Sequence, residues 1–285
     1  MFISLELLVL SRNQKKKNKM VGSIKLSETS ALALRFLQRQ VYHSKAEEDY
    51  LSHLDLSAGL SLYEACNAIW PQYAEVIFNR KHMILHHINE TLAKNPSMRI
   101  ISGAAGLDPL GLEVTQRHKD LDIFEIDREQ MSIKAELISN PRLHLIEGDL
   151  ADASSIIDKL KRAGWQQHRP TFLTMEGISY YLTLDILKNF VKAIKPQYAI
   201  FDHLRESGIN EAANIIGSKV FNLIRDYIKM DKIQRYDASS LSKLLGMKIS
   251  NNWSLCAMER YRTGNNIHFL SDDFGWLDVT AFEAI

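Results

Sequence analysis

Acidic residues stand at the ends of apolar runs along the middle of this chain. Asp127 closes Ile123-Phe124-Glu125-Ile126, Asp149 comes shortly after Leu143-His144-Leu145-Ile146, and Glu176 follows Thr171-Phe172-Leu173-Thr174-Met175. Ahead of them, Ile100 and Ile101 lead into a turn of small residues, Ser102-Gly103-Ala104-Ala105-Gly106. Small residues let backbone N–H groups approach a ligand closely. An acid about 20 residues further on suits the two hydroxyls of a ribose. Asp127 lies 21 positions after Gly106. The pattern is therefore that of a nucleoside-binding βαβ unit.

The details narrow the ligand. The dinucleotide fingerprint G-x-G-x-x-G is absent, because Gly103 and Gly106 give only G-x-x-G. Asp108 follows the turn directly, where a carboxylate would repel a pyrophosphate seated on a helix N-terminus. A ligand with an amino group and no phosphate tolerates Asp108. S-Adenosylmethionine (SAM) is such a ligand, and an NAD-dependent enzyme is correspondingly disfavoured. An ordinary βα turn without a ligand is the plain alternative for this stretch.

The elements that must position these groups follow from periodicity. Apolar runs over 143–146, 171–175 and 198–202 alternate with helical patterns over 129–138, from Ile156 to Ala163 and from Leu184 to Ile194. Strands alternating with helices imply a mostly parallel sheet covered on both faces, with ligands at the carboxyl ends of the strands. A long helix is expected over 71–93, stopped by Asn95-Pro96. Ser27 is a plausible cap for a helix carrying Leu34, Leu37 and Val41, and the acidic stretch 43–58 reads as a loop or exposed helix. Helical patterns return over 206–230 and 239–246. Residues 248–259 and 276–282 read as strands able to form an antiparallel hairpin at one edge.

Composition sets the class. The 285 residues are 46% hydrophobic and 24% charged, with a formal net charge of +1. That is an ordinary globular balance, enough for one full core. No basic stripe with interleaved aromatics appears, which argues against nucleic acid as a partner. Cys66 and Cys256 fit no metal spacing and read as reduced thiols of a cytoplasmic protein. No apolar run is long enough to span a bilayer, so no stable membrane insertion is expected. Residues 1–20, an apolar start followed by lysines, read as a peripheral extension, with Met20 a candidate natural start. Residues 21–285 read as one domain, a helical lid over 21–95 and a Rossmann-like core over 96–285. His82, His86 and His87 include an i, i+4 pair but lack a third ligand, so a solvated helical face is expected and no metal.

Five blocks in order resemble the leucine carboxyl methyltransferase family, a branch of the class I SAM-dependent methyltransferases. They are LSETSALALRFL from Leu26, GAAGLDP from Gly103, FEIDREQMSIK from Phe124, GDLAD from Gly148 and PTFLTMEGISYYL from Pro170. The last matches the family's P-T-x-x-x-x-E-G-x-x-x-Y-L pattern. Ala104 stands in place of a family glycine and Pro109 in place of a threonine.

The resemblance implies a class I methyltransferase fold with SAM as cofactor. It also implies transfer to a carboxylate or hydroxyl of a small-molecule or peptide acceptor. Arg80 would hold the SAM carboxylate, while Gly103, Ala104, Ala105 and Gly106 would carry the backbone contact. Asp127 would hold the ribose, and Asp149 and Leu150 would flank the adenine. Glu176 would lie near the methionine end and Tyr181 near the acceptor; these two are the candidate catalytic residues. Without an evident base, a carboxylate acceptor is favoured, His203 being the one strand-end histidine. A SAM-binding protein without catalysis is the alternative reading.

Overall fold

The computed structural model describes residues 44–285. Seven strands form one sheet: β1 (Arg99–Gly103), β2 (Ile123–Asp127), β3 (Leu143–Glu147), β4 (Thr171–Met175), β5 (Tyr198–Leu204), β6 (Met247–Ser254) and β7 (Leu277–Ala284). Their spatial order is β3-β2-β1-β4-β5-β7-β6. The first five run parallel, while β7 is antiparallel to both β5 and β6. From β1 the chain winds outward to β2 and β3, then returns to β4 on the other side. The switch point, where open α/β sheets bind ligands, thus falls between β1 and β4.

Side chains alternate along these strands, and each face buries its own set. Ile100, Phe172 and Ile200 join one core, and Ile101, Leu173 and Phe201 the other. Apolar residues at successive positions are what burial on both faces demands. The first core is covered by α1 (Lys45–Leu51), α2 (Leu60–Ile69), α3 (Tyr73–Lys94), α4 (Leu110–Arg117) and α5 (Met131–Leu137), with α8 (Glu211–Ile228) and α10 (Leu255–Thr263). The second lies under α6 (Ala153–Arg162), α7 (Leu184–Ile194) and α9 (Ala238–Leu245). Caps fix several starts: Asp152, Thr183 and Asn210 accept backbone N–H groups three residues on.

Several expectations shift. Residues 255–259, expected as strand, instead begin α10, because Ser254 ends β6 and its side chain accepts the Ala257 N–H as an N-cap. The two late strands do pair antiparallel at one edge of the sheet, with α10 between them in sequence and β7 lying inside β6, next to β5. The stretch before residue 58 holds α1, which buries Tyr50 and Leu51. The face bearing His82, His86 and His87 packs on its neighbours instead of standing in solvent. The Tyr261 hydroxyl meets His86 Nδ1 at 2.7 Å, and His87 lies edge-on to Trp253. The expected helix over 27–41 lies outside the described residues. Among the described residues no helix is long and apolar enough to cross a membrane.

Candidate active site

Strand register brings the acids together. Gly103 of β1 is level with Ile126 of β2 and Met175 of β4, and Met175 with Phe201 of β5. The next residues, Ala104, Asp127, Glu176 and Asp202, therefore emerge along one edge of the sheet. There a cavity of about 1000 Å³ opens, and Arg80, Ala104, Gly106, Asp127, Asp149 and Tyr181 are among the residues lining it. Helix α3 runs along its margin and contributes Tyr73, Ile77, Arg80 and Lys81.

On the β2 side, Asp127 braces the turn. Its Oδ2 accepts the Gly106 N–H at 2.9 Å and its Oδ1 the Glu129 N–H at 3.0 Å. Burial raises its pKa, with the two amides acting against that shift. A carboxylate offers roughly four lone-pair sites, so each oxygen retains one for a ligand. The turn itself is left-handed at two points, Ala104 with φ 56° and Gly106 with φ 52°. Glycine adopts that conformation freely, while alanine is strained by about 1–2 kcal/mol.

On the β4 side lies a buried charge network. Arg80 donates from Nε to Glu176 Oε1 at 2.9 Å and from Nη1 to Asp202 Oδ2 at 3.1 Å. Asp202 is fully buried and also accepts the Gly177 N–H at 2.7 Å. Gly177 has φ 72°, and a Cβ there would stand 3.6 Å from Arg80 Nη2. Lys81 bridges Glu176 Oε1 at 2.8 Å to Asp108 Oδ2. Burial alone would pull both cations down. Asp202 and Glu176 outweigh it for Arg80, Asp108 and Glu176 for Lys81, and both stay charged. Among the described residues, Glu176 Oε2 and Arg80 Nη2 make no hydrogen bond. One acceptor and one donor of this network thus remain uncommitted, the complement of an amino acid's ammonium and carboxylate.

A family model for leucine carboxyl methyltransferase matches residues 30–195. The chain belongs to the leucine carboxyl methyltransferase family. No curated protein sequence matches it. Two solved structures share the fold. One is a candidate methyltransferase from Thermobifida fusca YX, with TM-score 0.65 and 13% identity over 86% of this chain and 96% of that one. The other is a DUF574 family protein from Streptomyces avermitilis MA-4680, with TM-score 0.62 and 14% identity over 90% and 97%. The fold is that of a class I methyltransferase, and the protein is a SAM-dependent methyltransferase, with SAM the cofactor that family and fold imply.

The donor set fits that cofactor. Among the described residues six acids line the cavity, Asp108, Glu125, Asp127, Glu129, Asp149 and Glu176, against four basic residues, Arg80, Lys81, Arg128 and Lys229, an excess of acids suited to a sulfonium. Asp108 is held below the usual carboxylate range by Lys81, against burial. It thus remains an anion where a phosphate would need a donor.

Of the residues expected from sequence, Arg80, Ala104, Ala105, Gly106, Asp127, Asp149, Leu150, Glu176 and Tyr181 all line the one cavity. Gly103 does not. It is a packing position, where a Cβ would stand 3.3 Å from the side chains of Met175 and Phe190. Arg80 reaches the site, but its fork is shared with Glu176 and Asp202, leaving Nη2 as its uncommitted arm. His203 lies outside the cavity lining. It is fully buried between the Tyr236 carbonyl and Thr280 Oγ1, each at 2.8 Å, and burial lowers its pKa. Lys81 and Asp202 are site residues the sequence reading missed. The only signals were adjacency to Arg80 and an acid at the end of a fifth apolar run.

Proposed function

We propose that this protein transfers the methyl group of SAM to a carboxylate oxygen of a small-molecule or peptide acceptor. The observation that carries this reading is the chemistry of the wall beyond Glu176. Among the described residues, that part of the cavity is built of Tyr73, Ile77, Tyr181, Leu182 and the end of α8, without a histidine or cysteine. Burial pushes the Tyr181 phenol up, so it stays protonated and serves as a donor rather than a base. A nucleophile that arrives already ionised needs no base, and a carboxylate is ionised at neutral pH.

In this reading Asp127 holds the ribose hydroxyls, Asp149 and Leu150 flank the adenine, and Glu176 Oε2 and Arg80 Nη2 take the ammonium and carboxylate of the methionine end. Tyr181 donates to one acceptor oxygen and leaves the other in line with the methyl group. The O–CH3 bond forms as the S–CH3 bond breaks, yielding a thioether and an ester with no proton moved. Positioning supplies the acceleration. Residues 21–95 would act as lid and 96–285 as core of a single domain. The test is the product. Label from methyl-labelled SAM should leave as methanol under mild base, as from an ester; label stable to base would mean an ether and a hydroxyl acceptor.

A further inference from the structure

The acids of the cavity are gathered on one side. Asp108, Asp127, Glu129, Asp149 and Glu176 come from the ends of the parallel strands and the turns that follow them and Glu125 from the middle of β2, with Arg80, Lys81 and Arg128 among them. The opposite wall is the end of α8, and among the described residues it brings no carboxylate to the cavity. Ile224 and Ile228, one turn apart, present an apolar stripe, which Met230 continues. Helix α8 ends with Lys229 left-handed at φ 55°, its N–H on the Arg225 carbonyl, and the Met230 N–H returns to the same carbonyl at 3.1 Å. The chain then turns back, and the Gln234 N–H donates to the Tyr180 carbonyl at 2.8 Å. That bond fixes the segment beside Tyr180 and Tyr181. Lys229 is exposed at this rim, lines the cavity and makes no ion pair among the described residues.

We propose that Lys229 and the apolar stripe of α8 form the acceptor subsite, which takes an apolar body carrying one carboxylate. The inference rests on the carboxylate reading above and adds the residues that select the acceptor. A cation at the rim draws an anionic acceptor past the negative strand ends, which otherwise repel it. Pairing with Lys229 is available to the carboxylate and not to its methyl ester, so the subsite favours substrate over product. Ile224, Ile228 and Met230 offer no hydrogen-bond partner to a polar chain, the Tyr227 hydroxyl being the one neutral polar side-chain group that the end of α8 adds to the lining among the described residues, and polar acids lose affinity there.

The test is binding of octanoate and octanamide, with succinate as a polar acid, to the full chain loaded with S-adenosylhomocysteine. Octanoate should bind more tightly than either of the others. Lys229→Gln should weaken octanoate by about three- to tenfold, the range of one partly exposed charge-assisted contact, and leave octanamide and S-adenosylhomocysteine unchanged. Ile228→Ser should weaken octanoate and octanamide alike. Equal loss of acid and amide in Lys229→Gln, no loss of either, no binding of octanoate, or succinate binding as tightly as octanoate, would overturn the subsite. If wild-type protein still forms base-labile methyl esters in those cases, the carboxylate reading survives its failure. If no base-labile product forms with any acid, the reading itself has failed.

Discussion

Replacing Asp127 with asparagine separates cofactor binding from folding. The carboxylate accepts one backbone N–H on each oxygen, from Gly106 and Glu129, and keeps one site on each for a ribose hydroxyl. Asparagine preserves the shape but turns one oxygen into a donor. That group then faces a backbone N–H it cannot accept from, and one charge-assisted bond to the ribose is lost. A bond of that kind contributes roughly 1.5–3 kcal/mol, so the expected loss is about 2 kcal/mol, or roughly 30-fold in Kd. Folding should respond less. Burial raises the Asp127 pKa despite its two amides, so its charge opposes folding of the free protein above the ordinary aspartate range. Relief of that charge is offset by the amide N–H2 set against a backbone N–H, so the neutral variant should keep its Tm at pH 7 to within a few degrees. Cofactor affinity of the wild type should fall as acid protonates Asp127, beginning at a higher pH than an unperturbed aspartate would give. Calorimetry with S-adenosylhomocysteine, paired with thermal melts, reads both quantities. A Kd within threefold of wild type, in a variant with an unchanged melt, would refute the ribose assignment.

Other outcomes follow from the same geometry. Arg80→Lys keeps the charge but loses the bonds to Asp202 and Tyr180, and should weaken SAM about tenfold while leaving decarboxylated SAM unaffected; equal weakening of both would mean a purely structural effect. Ala104→Gly should relieve about 1–2 kcal/mol of left-handed strain, less about 0.4–1 kcal/mol of unfolded-chain entropy, and raise Tm by roughly 1–3 °C; a lower Tm would contradict it. Tyr181→Phe should cut kcat roughly tenfold at unchanged S-adenosylhomocysteine affinity, with no ascending pH limb between about pH 6 and 9, and a fall in cofactor affinity alone would remove Tyr181 from the acceptor. Glu47 is pushed up to about 8 by burial first and by Glu113 next, and its Oε2 has no hydrogen-bond partner. Its folded pKa lies above the unfolded one, so stability is lost as pH rises from the unfolded value through the folded one. Glu47→Gln should therefore raise Tm more at pH 8 than at pH 5, and equal shifts would argue against a buried neutral acid.

The strand-end acids were legible because a strand buried on both faces reads as an unbroken apolar run, and an acid ending it stands out. The spacing from Gly106 to Asp127 pointed to a ribose-binding acid, and did not announce that the same carboxylate accepts the Gly106 N–H at 2.9 Å. The network around Arg80 was not legible, because its partners Glu176, Tyr180 and Asp202 lie 96, 100 and 122 positions away. Only the register of β4 against β5 sets Glu176 beside Asp202. The sign of φ at Ala104 could not be read from an alanine, since its side chain disfavours the conformation that the turn imposes. Residues 255–259 misled because Leu255, Met258 and Glu259 are buried at helical spacing, yet the stretch follows directly on β6. His203 looked like a strand-end base, but β5 pairs through Leu204 with β7, so its ring stays inside the sheet.

The most direct test of the account is a crystal structure of the complex with S-adenosylhomocysteine. The account predicts the ribose hydroxyls on Asp127, the adenine between Asp149 and Leu150, the amino acid end on Glu176 Oε2 and Arg80 Nη2, and the sulfur turned toward Tyr181. A nucleoside bound away from Asp127, or a sulfur facing away from Tyr181 and the end of α8, would contradict it.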